Sequence, residues 1–201
     1  MMIRKDIAIK EGFLHIPVKP GIGPRYSLQI WFGKSLLRDF YVSLTDETDA
    51  PYFFLDMTDY RDKTLTLMVQ EPEGLSENVL ERCVDGAEAL PGHPLYPDLY
   101  EEKLRPQFHF SSRRGWLNDP NGLLYAGGKF HLYYQHNPLG TPHGSVNICW
   151  GHAVSDDLVR WVEQSDAILP WRRDWSIASG SAVLDRENKA GYGENAIIAA
   201  F

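Results

Sequence analysis

Short alternating runs of apolar residues, cut apart by glycine and proline turns, govern what this chain can become. Early in the chain the runs cover residues 6–10, 13–19, 26–32, 40–44, 52–57 and 64–69. Turn-rich segments such as Lys19-Pro20-Gly21-Ile22-Gly23-Pro24 and Thr45-Asp46-Glu47-Thr48-Asp49-Ala50-Pro51 separate them. Side chains alternate between the two faces of a strand, so runs with this period each offer one face to a core. Their length and spacing predict a small antiparallel β-sandwich over residues 1–70. The 17 glycines, 13 prolines and 12% aromatic residues point the same way, because rings favour pleated surfaces and Gly and Pro favour turns. Residues 71–104 change texture. Leu75, Val79, Leu80 and Cys83 recur at helical spacing, and Pro91, Pro94 and Pro97 then forbid regular structure, which predicts a short helix followed by an extended linker.

From Arg105 the β pattern returns. Asn121-Gly122-Leu123-Leu124-Tyr125, the turn Ala126-Gly127-Gly128-Lys129 and Phe130-His131-Leu132-Tyr133-Tyr134-Gln135 read as a hairpin. A third strand is predicted over residues 149–155. Ser155-Asp156-Asp157 then turns the chain into a fourth over residues 159–163. Four consecutive antiparallel strands in this compass have the size of one propeller blade. Residues 179–184 and 195–201 read as the first two strands of a second blade.

Charge and cysteine content exclude several classes. Lys and Arg number 20 against 27 Asp and Glu, a net charge of -7, and no basic stripe offers itself to phosphates, so nucleic acid is not an expected partner. Asp6, Lys10 and Glu11 interrupt every candidate apolar core near the N-terminus, so neither a signal peptide nor a membrane helix is encoded. As written the chain reads as cytoplasmic, or as secreted if a leader is missing. Cys83 and Cys149 lie far apart and read as ordinary thiols. His131, His136 and His152 fall on neighbouring predicted strands, but no carboxylate joins them at ligand spacing, and no metal is expected. The sequence contains no phosphate-binding glycine loop, nucleophile elbow or dinucleotide fingerprint.

The stretch richest in chemistry is Arg105-Pro106-Gln107-Phe108-His109-Phe110 followed by Trp116-Leu117-Asn118-Asp119-Pro120-Asn121-Gly122. Pro120 pushes Asp119 to an extended conformation and away from a helix. The carboxylate is therefore expected at a strand mouth, just before the first strand of the blade. Asp-Pro and Asn-Gly are also plain turn formers, so the motif by itself reads more readily as a turn.

Several segments in register resemble glycoside hydrolase family 32, the invertase, inulinase and levanase family. Trp116 to Gly122 looks like its nucleophile motif, and Tyr134-Gln135-His136-Asn137-Pro138 like the segment whose Gln contacts the fructosyl unit. Cys149-Trp150-Gly151-His152-Ala153-Val154-Ser155 with Leu158 and Trp161 is similar to the next strand pair, and Ser179-Gly180-Ser181-Ala182-Val183 to the block that follows. The resemblance covers residues 105–201.

It implies an all-β chain in which an N-terminal β-sandwich-like module over residues 1–70 and a linker over residues 71–104 precede residues 105–201. Those last residues would form the first blade and part of the second of a five-bladed β-propeller. It implies cleavage of β-fructofuranosidic bonds in sucrose, levan or inulin by retaining double displacement. In that chemistry a carboxylate nucleophile and a carboxylic acid stand roughly 5 to 5.5 Å apart, and no cofactor or metal takes part. Asp119 would be the nucleophile. Asn118, Gln135 and Ser179 would meet sugar hydroxyls, and Trp116 and Trp150 would offer ring faces, although Trp150 reads equally well as core packing. Two positions depart from the family's pattern: His143 and Ala178 stand where it has aromatic residues, which would remove apolar wall from the pocket. Partners are thus fructose-containing oligo- or polysaccharides. A fructosyltransferase and a non-catalytic fructan-binding protein are the rival readings. Five blades need more residues than follow Arg105, so the chain reads as a fragment that lacks the acid/base Glu. In the N-terminal module, Tyr26, Trp31, Phe32, Tyr41 and Tyr52 are candidate sugar-stacking rings, with core filling the better expectation.

Overall fold

A computed structural model of the chain describes residues 2–19, 25–70, 72–87, 100, 102–138, 147–170 and 175–201. The chain is all-β, as the periodicity predicts, and no α-helix occurs among the described residues. It divides into two compact units, the first drawn mainly from residues 1–105 and the second from within residues 106–201.

The first unit holds two antiparallel sheets. One is four-stranded with the order β1-β6-β3-β4, from β1 (Met2–Ala8), β3 (Tyr26–Phe32), β4 (Ser35–Val42) and β6 (Thr64–Gln70). The other has the order β5-β2-β7, from β2 (Phe13–Pro17), β5 (Tyr52–Asp56) and β7 (Val84–Gly86). Inward residues of both sheets meet in one core that includes Ile7, Leu14, Ile16, Leu28, Ile30, Leu55, Leu65, Leu67 and Val69. β6 shows why: its even positions face outward while Leu65, Leu67 and Val69 are completely buried. That is the alternation a strand with one wet face requires.

Leu67 lies on a strand paired on both sides, with β1 and with β3. Leu67→Ala is expected to cost about 2 to 5 kcal/mol of unfolding free energy, the range for an emptied, poorly collapsing core site. A urea titration followed by fluorescence would measure it, and a loss under about 0.5 kcal/mol would contradict this packing.

The helical spacing around residues 75–83 yields a single 3₁₀ turn, Val79–Arg82, followed at once by β7. Val79, Leu80 and Cys83 are buried in the sandwich core, so the period reflects one turn laid on the core rather than a lasting helix. Burial pushes the Cys83 thiol up to about 12. β7 pairs with β2, and its Asp85 carboxylate accepts hydrogen bonds from the backbone N–H of Lys10, Glu11 and Gly12 at 2.7 to 3.0 Å. Of the five candidate stacking rings, Tyr26 is in the core. Trp31, Tyr41 and Tyr52 are half-buried, and Phe32 is exposed with its ring against Tyr60.

The second unit opens with a four-stranded antiparallel meander, β8 (Trp116–Ala126), β9 (Lys129–Asn137), β10 (Cys149–Ser155) and β11 (Trp161–Ile168), in the spatial order β11-β10-β9-β8. Sequential antiparallel pairing of four strands is the construction of a propeller blade. A two-stranded hairpin follows, β12 (Ser181–Asp185) paired with β13 (Ala196–Ala200). Gly122 of β8 lets the hairpin approach closely: its φ is +44°, and a Cβ there would stand 2.6 Å from the Cβ of Ala182. Tyr133, Trp150 and Ile177 make the small core of this unit, with Leu124, Ile168, Ile197 and Ala199 packed against it.

Candidate active site

Asp119 does not sit ahead of the first blade strand. It lies inside β8, where pairing with β9 runs Leu117 to His136 and then Pro120 to Tyr134, so three steps on β8 match two on β9. The surplus residue is a β-bulge covering Asn118 and Asp119. Proline explains it in part, since Pro120 has no N–H to give the ladder and is tolerated in a paired strand chiefly at such breaks. The bulge turns the Asp119 side chain out of the regular alternation, and the residue is exposed.

The carboxylate meets Ser179, whose Oγ donates a 2.6 Å hydrogen bond to Asp119 Oδ2 across 60 residues of sequence. Trp116 is at the surface and its Nε1 donates to Asn118 Oδ1 at 3.2 Å, which ties the indole to the residue beside Asp119. Ala178 is exposed next to Ser179. The two hydrogen bonds thus link Trp116 to Asn118 and Ser179 to Asp119, with Ala178 next in the chain to Ser179.

Gln135 and Trp150 are elsewhere than expected. They are register partners on β9 and β10, so their side chains stand together on one face of the sheet, but Gln135 is 4% exposed and Trp150 wholly buried. Gln135 Nε2 donates to the Ile177 carbonyl at 2.9 Å, and Trp150 Nε1 to the Ala178 carbonyl at 2.9 Å. Trp150 is core in this fold. Its ring packs among Tyr133, Ile177 and their neighbours, in line with the core-packing alternative of its two readings. His143 lies outside the described residues.

Sequence reasoning gave Asn121 no role of its own, placing it in the motif, at the start of a strand and in an Asn-Gly turn. It is 2% exposed, and its Oδ1 accepts the Gly180 N–H at 3.2 Å. It also missed the polar network on the opposite face of the blade. There Glu163 Oε2 accepts from the N–H and the Nε of Arg113 at 2.8 and 3.0 Å, and Glu163 Oε1 accepts from the Tyr134 hydroxyl at 2.6 Å. Burial, reinforced by Glu163, holds that phenol far above its ordinary value, so it remains a donor. These bonds fasten the segment leading into β8. The only signal in the sequence is an acidic residue at Glu163 and another at Asp166 within one short strand.

His136 belongs to the same face. Nδ1 is 2.7 Å from Asp166 Oδ1 and Nε2 is 3.0 Å from the Arg114 carbonyl. Both ring nitrogens thus face acceptors, an arrangement that favours the doubly protonated ring. Burial works against that charge, but the Asp166 carboxylate, its hydrogen bond, the Arg114 carbonyl and Glu163 outweigh it and raise the pKa above 6.5. The Cys149 thiol donates to the His136 carbonyl at 3.2 Å. The ligand-type atoms of His136, Cys149 and Asp166 lie within 4.8 Å of one another, the one such group among the described residues, and it is held together by hydrogen bonds of its own. His131 Nδ1 and His152 Nε2 are 3.0 Å apart on the other face, where burial and then His131 push His152 down to about 4.

These histidines set a pH dependence. A folded pKa raised above the unfolded value gives stability that is complete below the unfolded pKa and is lost as pH rises through the folded one, which is His136. A depressed folded pKa gives the reverse, so His152 contributes above its unfolded value and that contribution is lost as pH falls toward about 4. Unfolding free energy of the second unit is thus expected to peak near neutrality, with an alkaline decline due to His136. His136→Asn should flatten that decline in denaturant titrations at a series of pH values; a decline that persists unchanged in the variant would exclude His136 as its source.

Comparison with known proteins bears on this unit. Residues 109–200 match the family model described as "Glycosyl hydrolases family 32 N-terminal domain". Over 93 residues the chain is 46% identical to a levanase of Bacillus subtilis, a match covering 46% of this chain and 13% of that protein. It is 48% identical over 94 residues to invertase 1 of Saccharomyces cerevisiae, covering 46% and 18% respectively. The β-fructofuranosidase of Schwanniomyces occidentalis, solved with fructosyl-erythritol, is 42% identical with a TM-score of 0.44, covering 47% of this chain and 20% of that one. The chain therefore spans well under a quarter of the length of each of these relatives.

Proposed function

We propose that the protein, whose residues 109–200 match the model described as a glycosyl hydrolase family 32 N-terminal domain, hydrolyses β-fructofuranosidic bonds by a retaining double displacement with Asp119 as nucleophile. The observation that carries the reading is the Asp119 carboxylate, lifted out of the strand by a bulge and held by the Ser179 hydroxyl at 2.6 Å. An Asp119 oxygen attacks the anomeric carbon as the bond to the leaving oxygen breaks, which forms a fructosyl ester. Water then cleaves the ester and the carboxylate is regenerated. A second carboxyl, which protonates the leaving oxygen and later deprotonates the water, is part of this chemistry; no residue described here is assigned to it.

Asn118, Ser179 and the Trp116 ring present an amide, a hydroxyl and an apolar face beside the nucleophile. That set suits a fructosyl unit of sucrose, levan or inulin. Ala178 leaves more room in the wall than an aromatic residue would. In this reading β8–β13 belong to the first blade and part of the second of a five-bladed propeller, and the sandwich ahead of them is an accessory module.

The test is product analysis with the full-length protein and sucrose, with and without methanol. Hydrolysis through a fructosyl ester predicts equal glucose and fructose, with methyl β-fructofuranoside appearing when methanol competes with water. Methyl α-fructofuranoside would contradict retention, and intact sucrose would refute the activity. Fructosyl-sucrose products at high sucrose would favour the transferase instead.

A further inference from the structure

Five consecutive polar contacts converge on residues 177–180, and three of them come from buried side chains on three adjacent strands. The Ile177 N–H donates to the Ile148 carbonyl at 3.0 Å, and the Ile177 carbonyl accepts from Gln135 Nε2 at 2.9 Å. The Ala178 carbonyl accepts from Trp150 Nε1 at 2.9 Å, Ser179 Oγ donates to Asp119, and the Gly180 N–H donates to Asn121 Oδ1 at 3.2 Å. Four of the five fix backbone. The one that remains points a hydroxyl at the carboxylate.

We infer that Asn121, Gln135 and Trp150 are positioning residues that lock the 177–180 segment, so that the Ser179 hydroxyl is aimed at Asp119 before substrate arrives. This rests on the reading of Asp119 as the nucleophile and adds to it the device that orients it. The segment has no ladder partner of its own until β12 begins at Ser181, and Ala178, Ser179 and Gly180 are exposed. Without the anchors, residues 178–180 would have little to offset the entropy cost of holding one backbone conformation. The anchors stand in the driest part of the unit, with Asn121, Gln135 and Trp150 at 2%, 4% and 0% exposure. A hydrogen bond there is worth keeping because a buried donor stripped of its acceptor bears its whole desolvation penalty. The register explains the aim: Gln135 and Trp150 are directly opposed across β9 and β10, and their donors reach successive carbonyls of the same crossing segment.

Trp150→Phe removes the N–H and keeps most of the ring, and Gln135→Met removes the amide at similar volume. Two measurements test the inference. In the chain itself, protection of the Gly180 amide against hydrogen exchange is expected to fall about tenfold in either variant; parental protection in both would overturn it. In the full-length protein, sucrose hydrolysis by Trp150→Phe is expected to lose about tenfold in kcat with KM within twofold. Combined with Ser179→Ala, which removes the hydroxyl being aimed, Trp150→Phe should add nothing further. Multiplying losses in the double variant would overturn a role through Ser179. If the parental protein released no fructose, the proposed activity would fail while the exchange measurement still decided the anchoring.

Discussion

Asp119→Asn in the full-length protein is expected to lower fructose release from sucrose by about 10⁴-fold or more, the scale on which removal of a covalent nucleophile acts. The amide has nearly the carboxylate's shape, and its oxygen can still accept the Ser179 hydrogen bond seen at 2.6 Å. Folding and sugar binding should therefore survive while ester formation does not, because a neutral amide oxygen is a poor nucleophile and its adduct cannot collapse to a stable ester. Steady-state assays paired with calorimetric titration of sucrose separate the two effects. Parental turnover in the variant would remove Asp119 from the mechanism. Binding by both proteins with turnover by neither would favour the fructan-binding reading.

Gly180→Ala is expected to disrupt the hairpin that carries Ser179. A Cβ built there would stand 2.0 Å from the Ala200 carbonyl oxygen and 3.0 Å from the Phe201 Cα. Those atoms are backbone at the end of the β12–β13 ladder, where Ser181 pairs with Ala200, so no rotamer change can make room. Forced overpacking typically costs about 1 to 3 kcal/mol and more where backbone must move. The expected outcome is loss of hydrogen-exchange protection throughout β12 and β13, accompanied by a loss of at least about tenfold in sucrose hydrolysis as Ser179 is carried away from Asp119. The first unit should keep its own denaturation midpoint. Parental protection of the hairpin would show that Gly180 does not make this close approach.

Much of the β architecture was legible in the sequence because alternation with period two is a local signal. The strands at residues 26–32, 52–56 and 149–155 follow the apolar pattern within a residue or so. Other boundaries moved where pairing rather than pattern decides them. β1 runs from Met2 to Ala8 because it is zipped along its length to β6, and β11 begins at Trp161 and extends to Ile168. The candidate residues Trp116, Asn118, Asp119, Gln135, Trp150 and Ser179 could be named from the sequence, since they sit in recognisable motifs. Their division of labour was not. Burial depends on what folds over a side chain, and nothing local to Gln135 or Trp150 says that residues 177–178 will return to cover them.

The sequence alone determined the strand succession, the turns, and the presence of an acidic residue beside a proline in a motif that resembles those of family 32, because each of these depends on neighbours in the chain. Only the tertiary structure decided that Asp119 lies in a bulge, and that Ser179, 60 residues away, donates to it. Only the tertiary structure put the Trp150 ring in the core rather than at the surface. These are consequences of register and of long-range hydrogen bonding. A strand can be read from its own residues, but its bulges and the groups it buries are set by the partner that pairs with it.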